Sequence, residues 1–193
     1  MHFEAVYLAR HGQTEWNVAG RRQGRHDSPL TPEGLRQARR NADLLSGHQI
    51  DAIFTSPLGR ARRTAEIVGE TLGLQAQVLD ELAEVAHGAW SGLTSAEIDA
   101  GWPGQRAARE QDKYTFRFPD GESYADADVR AGRALAEVAR SDARRPLLVS
   151  HEMIGRMLLK QLGVAGSLQL RQSSDLIYRV RSGGEVDELT AAE

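Results

Sequence analysis

The stretch "VYLARHGQTEWN", residues 6–17, decides how the rest of the chain is read. A short apolar run, "AVYLA" (5–9), has the length and residue types of a buried strand, and it ends in Arg10 and His11 followed at once by Gly12. An imidazole beside a guanidinium is a poor way to close a buried strand and a good way to meet an anion. Gly12 lets backbone approach a ligand closely. A neutral imidazole is a competent nucleophile toward phosphorus, and neighbouring guanidinium charges disfavour imidazolium.

Strand-like and helix-like segments alternate outward from this point. Thr31 and Pro32 open the stretch 30–45, a cap followed by proline at the first helical position, and Leu35, Ala38, Ala42 and Leu45 recur at helical spacing. "DAIFTS" (51–56) reads as a strand, and 57–73 as a helix ended by glycine. The pattern loosens over 80–121, then returns with a helix at 122–140, the run "RPLLVSH" (145–151) and a helix at 152–163. Two β-leaning pieces, "DLIYRVRS" and "EVDEL", follow. Alternation of this kind predicts a mostly parallel sheet covered on both faces. Ligands of such sheets bind outside the carboxyl ends of the strands, where Arg10, His11, Ser56 and His151 all fall.

At 193 residues the chain has room for one compact domain, taken as 1–193, and hardly for two. With 40% apolar and 26% charged residues it has the balance of a soluble globular protein. A net charge of −3 gives no general attraction to nucleic acid or an acidic membrane surface, so an anion site must be built locally. Without cysteine there is no disulfide, thiolate metal site or thiol nucleophile. The start "MHFEAVYLAR" does not read as a signal peptide, and no apolar run approaches the ~20 residues of a membrane helix. The cytoplasm is the expected compartment.

Three further clusters bear on chemistry. In "TSPLGRARRTAEIVGE", Arg60 lies nearest a strand end, where a helix N-terminus also offers amide donors to an anion. Arg62 and Arg63 read as a solvated basic face. His151 ends "LLVSH", and a zinc motif H-E-x-x-H is excluded there because position 155 is Gly. The loop "ELAEVAHGAWSG" holds Glu81, Glu84 and His87, of which Glu84 matters if a general acid is needed.

Together, "RHGQTEWN", "RRQGRHDSPLTPEG", "TSPLGRARRTA", "ELAEVAHGAWSG", "PDGES" and "VSHEMIGRMLL" resemble the histidine phosphatase superfamily, in family order across 5–160. The resemblance implies a three-layer α/β/α sandwich of the phosphoglycerate-mutase-like type and a phosphohistidine intermediate. By motif position it implies His11 as nucleophile and Glu84 as proton donor, later the base that activates water. It likewise implies Arg10, Arg60 and His151 as the phosphate pocket, with Asn17 and Gln23 hydrogen-bonding phosphate or substrate. Two arginines and a protonated His151 would serve the equatorial oxygens, so no metal or other cofactor is expected.

One departure stands out. Relatives usually carry glycine after the second histidine, whereas this chain has Glu152, expected in the first turn of the next helix, where an acid is favourable. Mutases of the family are longer and clamp phosphoglycerate with a proline-rich run. This chain has neither that run nor a basic tail, its acidic end being "EVDELTAAE". The expected activity is therefore hydrolysis of a small phosphorylated metabolite, with a mutase as the alternative. A non-catalytic binder of phosphorylated ligands is weighed against the presence of the whole catalytic set, and a metal-dependent hydrolase has no ligand cluster behind it. Residues 102–121 carry Arg106, Arg109, Lys113, Tyr114 and Arg117, either a solvated surface or a cap reading a second anionic group.

Overall fold

The computed structural model describes residues 2–190. Met1 and the last three residues of the acidic end lie outside them. Strand β1 (Ala5–Arg10) runs through the middle of the molecule, and its side chains alternate between two cores. Ala5, Tyr7 and Ala9 pack with Ala42, Leu45, Ala61, Ala65 and Val68. Val6 and Leu8 pack on the other face with Ala131, Leu135, Ile154 and Leu158. Burial on both faces is why the strand reads as an unbroken apolar run rather than an alternation.

The other strands are β2 (Ala52–Thr55), β3 (Ala76–Val78), β4 (Pro146–Ser150), β5 (Leu176–Arg181) and β6 (Val186–Thr190). They form one six-stranded sheet in the order β3-β2-β4-β1-β5-β6. Strands β1, β4, β2 and β3 are parallel, and β5 and β6 add an antiparallel hairpin beside β1. Helices α1 (Glu15–Val18), α2 (Pro32–Leu45), α3 (Gly59–Leu72), α4 (Ser95–Gly101), α5 (Gln105–Gln111), α6 (Tyr124–Val138) and α7 (Glu152–Gln161) complete the chain. Helices α2 and α3 cover one face of the sheet, α6 and α7 the other, giving the expected α/β/α layering.

Strand β4 lies between β1 and β2, so the carboxyl ends of three neighbouring parallel strands open on one edge. That edge is where His11, Ser56 and His151 stand. The anticipated helices match α2, α3, α6 and α7 closely, with Thr31 accepting from the Gly34 N–H at the start of α2 and Gly73, at φ 69°, ending α3. Helices α1, α4 and α5 and strand β3 were not anticipated. Among the described residues, no helix is long and apolar enough to cross a membrane.

Candidate active site

His11 continues the pairing of β1 with β4 by donating its N–H to the Ser150 carbonyl at 3.1 Å. Its carbonyl accepts from Ser174 Oγ (2.7 Å), and the next N–H, of Gly12, donates to Thr64 Oγ1 (3.1 Å). The imidazole Nδ1 faces the Gly12 carbonyl at 2.8 Å, while Nε2 faces the Arg60 Nε–H at 3.2 Å. An acceptor on one side and a donor on the other select the tautomer with hydrogen on Nδ1 and the lone pair on Nε2. Burial, then the charges of Arg10 and Arg60, hold the His11 pKa well below its ordinary 6.5, so the ring is neutral. Gly12 has a different role from the one expected. A Cβ there would lie 2.3 Å from the Gly34 carbonyl oxygen, so what approaches closely is the backbone of α2, not a ligand.

Arg60 sits in the first turn of α3, where a cation opposes the helix dipole. Asp27 resolves the conflict: its Oδ1 accepts from the Arg60 backbone N–H (3.3 Å) and from its guanidinium (3.0 Å). The carbonyls of His26 (2.6 Å) and Gly24 (2.8 Å) take further guanidinium hydrogens. The fork is thus fixed with its Nε edge on His11. Arg10 donates to the Gln172 carbonyl (2.7 Å), and its Nε is buried without a partner.

His151 stands against His11 with ring centroids 5.1 Å apart. Its Nε2 lies 2.7 Å from Ser56 Oγ, and Nδ1 is buried without a partner. Burial and the charges of Arg60, His11 and Arg10 push its pKa well below 6.5. This corrects the expectation of a protonated His151: the neutral ring has a single N–H to offer.

Glu84 is buried against the start of α7. Its carboxylate accepts from the N–H of the adjacent loop residue Val85 (2.8 Å) and from those of Ile154 (3.1 Å) and Met153 (3.2 Å), donors that the N-terminus of α7 leaves free. Its loop is clamped from beneath by Arg130, which donates to the carbonyls of Glu81 and Ala83 at 2.6 Å each and pairs with Glu122 at 3.0 Å. Gly88, at φ 52°, passes so close to the Pro119 carbonyl that a Cβ would lie 1.8 Å from it. This joins the "ELAEVAHGAWSG" loop to "PDGES".

Arg10, His11, Asn17, Gln23, Arg60 and Glu84 line one cavity of about 150 Å³. His151 is not among the lining residues, its ring packing on that of His11. Asn17 and Thr14 cap α1 reciprocally, Gln23 Nε2 donates to Thr14 Oγ1 at 2.8 Å, and Ser28 Oγ donates to Gln23 Oε1 at 3.1 Å. His87 also lines the cavity, with its pKa pushed down to about 3 by burial and by Arg22, Arg109 and Arg60.

Glu152 begins α7 as expected, but its carboxylate also lines the cavity and pairs with Arg10 (3.4 Å) and Arg156 (3.0 Å). Arg106, Lys113 and Arg117 pair with Asp99, Glu110 and Asp126, and Tyr114 donates to Asp128. Arg109 lies over the rings of Phe118 and Tyr124. None of the five lines the cavity, so 102–121 does not form its wall. Sequence reasoning missed Asp27, Arg130, Glu122 and Arg22 as parts of the site or its support. Among the described residues, no group of three or more His, Asp or Glu is placed to hold a metal ion.

The pattern of the histidine phosphatase superfamily (branch 1) matches residues 6–174. The chain belongs to that superfamily and is an enzyme of it. Over 171 residues it is 37% identical to the probable phosphoglycerate mutase GpmB of Serratia proteamaculans, covering 86% of this chain and 78% of the relative. Among solved structures, a mycobacterial glucosyl-3-phosphoglycerate phosphatase in complex with VO3 superposes with a TM-score of 0.87 at 33% identity, covering 98% of this chain and 100% of the other. The alpha-ribazole phosphatase of Shigella flexneri shares the fold, with a TM-score of 0.85 at 23% identity, covering 98% and 96%.

Proposed function

We propose that the protein hydrolyses a small phosphomonoester through a phosphohistidine on His11. The observation that carries this reading is the neutral His11 ring, whose Nε2 lone pair meets Arg60 Nε at 3.2 Å in a cavity also lined by Arg10 and Glu84. Nε2 attacks phosphorus in line with the ester oxygen, the N–P bond forms and the P–O bond breaks. Glu84 gives a proton to the departing alkoxide. A water then attacks phosphorus, losing its proton to the Glu84 carboxylate, and the N–P electron pair returns to His11.

Charge on the three equatorial oxygens is met by fixed donors, which is most of what catalysis of phosphoryl transfer requires. Arg10 Nε is a buried donor without a partner at this end of the cavity, and Nδ1 of the His151 ring packed on His11 is likewise unpartnered. Arg60, its fork held beside Nε2, supplies positive charge to those equatorial oxygens. Asn17 and Gln23 add hydrogen bonds at the cavity wall.

Hydrolysis is favoured by the likeness, over nearly the whole length of both chains, to a structure described as a phosphatase. The second reading, a phosphoglycerate mutase, is favoured by the name of the Serratia relative. The test is a panel of phosphomonoesters, scored for inorganic phosphate and for isomerised product, with acid quench of labelled substrate. Phosphate release, and an acid-labile, base-stable label lost in His11→Ala, is the expected result. Isomerisation faster than hydrolysis overturns the hydrolase in favour of the mutase, and label on serine or aspartate overturns the nucleophile.

A further inference from the structure

Four arginines line the cavity, and three are neutralised by a carboxylate: Arg10 by Glu152, Arg21 by Glu97 and Arg60 by Asp27. Arg22 is the exception. Among the described residues it has no carboxylate partner and no side-chain hydrogen bond, and its Nε is buried without an acceptor. Nor is it free to turn away. Its N–H donates to the Leu93 carbonyl at 3.0 Å, its carbonyl accepts from Gly92 at 2.7 Å, and its guanidinium lies 5.9 Å from the centre of the buried Trp90 ring.

A half-buried cation without an anion is costly. Here the surroundings add to that cost, because burial and the charges of Arg109 and Arg106 lower the Arg22 pKa, with Glu152 and Glu110 opposing them. Of the residues singled out in 102–121, Arg106 and Arg109 thus bear on Arg22 through their charge rather than by lining the cavity. The guanidinium that meets the contents of the cavity is Arg22.

We propose that Arg22 is the specificity residue of this site, reading a second anionic group on the phosphomonoester. The proposal rests on the phosphate occupying the Arg10–His11–Arg60 end of the cavity. A volume of about 150 Å³ corresponds to roughly five waters, so the two anionic groups belong to one compact molecule. The fork of Arg22 fits either a carboxylate or a second phosphate.

Matched pairs test this. 3-Phosphoglycerate and glycerol 3-phosphate differ by a carboxylate in place of a hydroxymethyl group; propane-1,3-diol bisphosphate and its monophosphate differ by the second phosphate. A charge-assisted hydrogen bond at a desolvated site predicts a preference of about 10- to 100-fold in kcat/KM for the doubly anionic member of at least one pair. The pair that shows it identifies the group.

In Arg22→Met that ratio falls to within about threefold of unity, and Arg22→Lys retains part of it. The ratio is internal to each variant, so a general loss of activity does not imitate the effect. If Arg22→Met melts below assay temperature, Arg22→Lys and Arg22→Gln carry the test. Ratios near unity for both pairs in the wild type, or a ratio unchanged in a folded Arg22 variant, overturn the proposal. Calorimetric Kd values for the same four compounds separate it from the hydrolase reading. A charge preference in binding that Arg22→Met abolishes, without turnover of any compound, upholds Arg22 and sinks hydrolysis.

Discussion

Acidification is the perturbation for which the structure gives the clearest magnitude. His11, His87 and His151 are all buried, and each is held below its ordinary pKa of 6.5, His87 at about 3. Above pH 6.5 neither folded nor unfolded chain protonates them. Below it the unfolded chain takes up three protons that the folded chain refuses, so stability falls as pH falls. Each histidine costs about 1.4 kcal/mol per pH unit once below 6.5. At pH 5 that is about 2 kcal/mol for His87 alone, against a typical total of about 5–15 kcal/mol, with His11 and His151 adding in the same direction. For His87 the loss continues to pH 3, the whole interval from 6.5 to about 3 being worth roughly 5 kcal/mol. Urea unfolding between pH 7.5 and 5 should show stability falling by at least about 1.4 kcal/mol per unit below pH 6. His87→Phe, whose ring can lie against Phe118 as the imidazole does at 4.7 Å, should remove about 1.4 kcal/mol per unit from that slope. A stability profile flat between pH 6.5 and 5 refutes the neutral assignments, and with them the resting lone pair on His11.

Three other outcomes are expected. Glu84→Gln keeps the shape of the acid but has no proton to give, so single-turnover phosphorylation should fall ~10²–10⁴-fold with glycerol phosphate. It should change little with nitrophenyl phosphate, whose phenolate leaves unaided; equal losses count against Glu84 as the leaving-group acid. Activity should survive EDTA, and loss on chelation that zinc or magnesium restores would end the arginine-pocket mechanism. Arg130→Met leaves the carbonyls of Glu81 and Ala83 without their donor, while Glu122 keeps Arg25 and the Ala86 N–H, at about 1–3 kcal/mol in urea unfolding. A variant as stable as the wild type means Arg130 does not clamp that loop.

The parts of the fold and site legible in the sequence were those carried by local pattern. "AVYLA" and "LLVSH" are apolar because both faces of β1 and β4 are covered, and α2 shows its buried stripe at Ala38, Ala42 and Leu45. His11, Arg60, Glu84 and His151 stand in motif blocks; the first three line one cavity and the His151 ring packs on His11. What escaped was long-range or without period. Asp27 acts on Arg60 33 positions away, and Arg130 holds a carbonyl 49 positions away. Strand β3 is a three-residue edge strand with two exposed members, and α4 and α5 bury only Ile98 and Arg109, too little for a stripe. The cavity face of Arg22 had no signature either, since "RRQG" does not say which arginine finds an acid.

The backbone around the nucleophile has a consequence for rate as well as shape. The N–H and carbonyl of His11 and the N–H of Gly12 are each tied to a different element, and Gly12 lies flush against Gly34 with no room for a methyl group between them. The imidazole is left only its side-chain torsions, and the Gly12 carbonyl restrains those. The search for the attacking geometry is therefore completed when the chain folds, and very little of it recurs at each turnover. Phosphorylation of His11 should accordingly carry a small activation entropy. Inserting one methyl group, as Gly12→Ala or Gly34→Ala, should surface as an entropic penalty on that step.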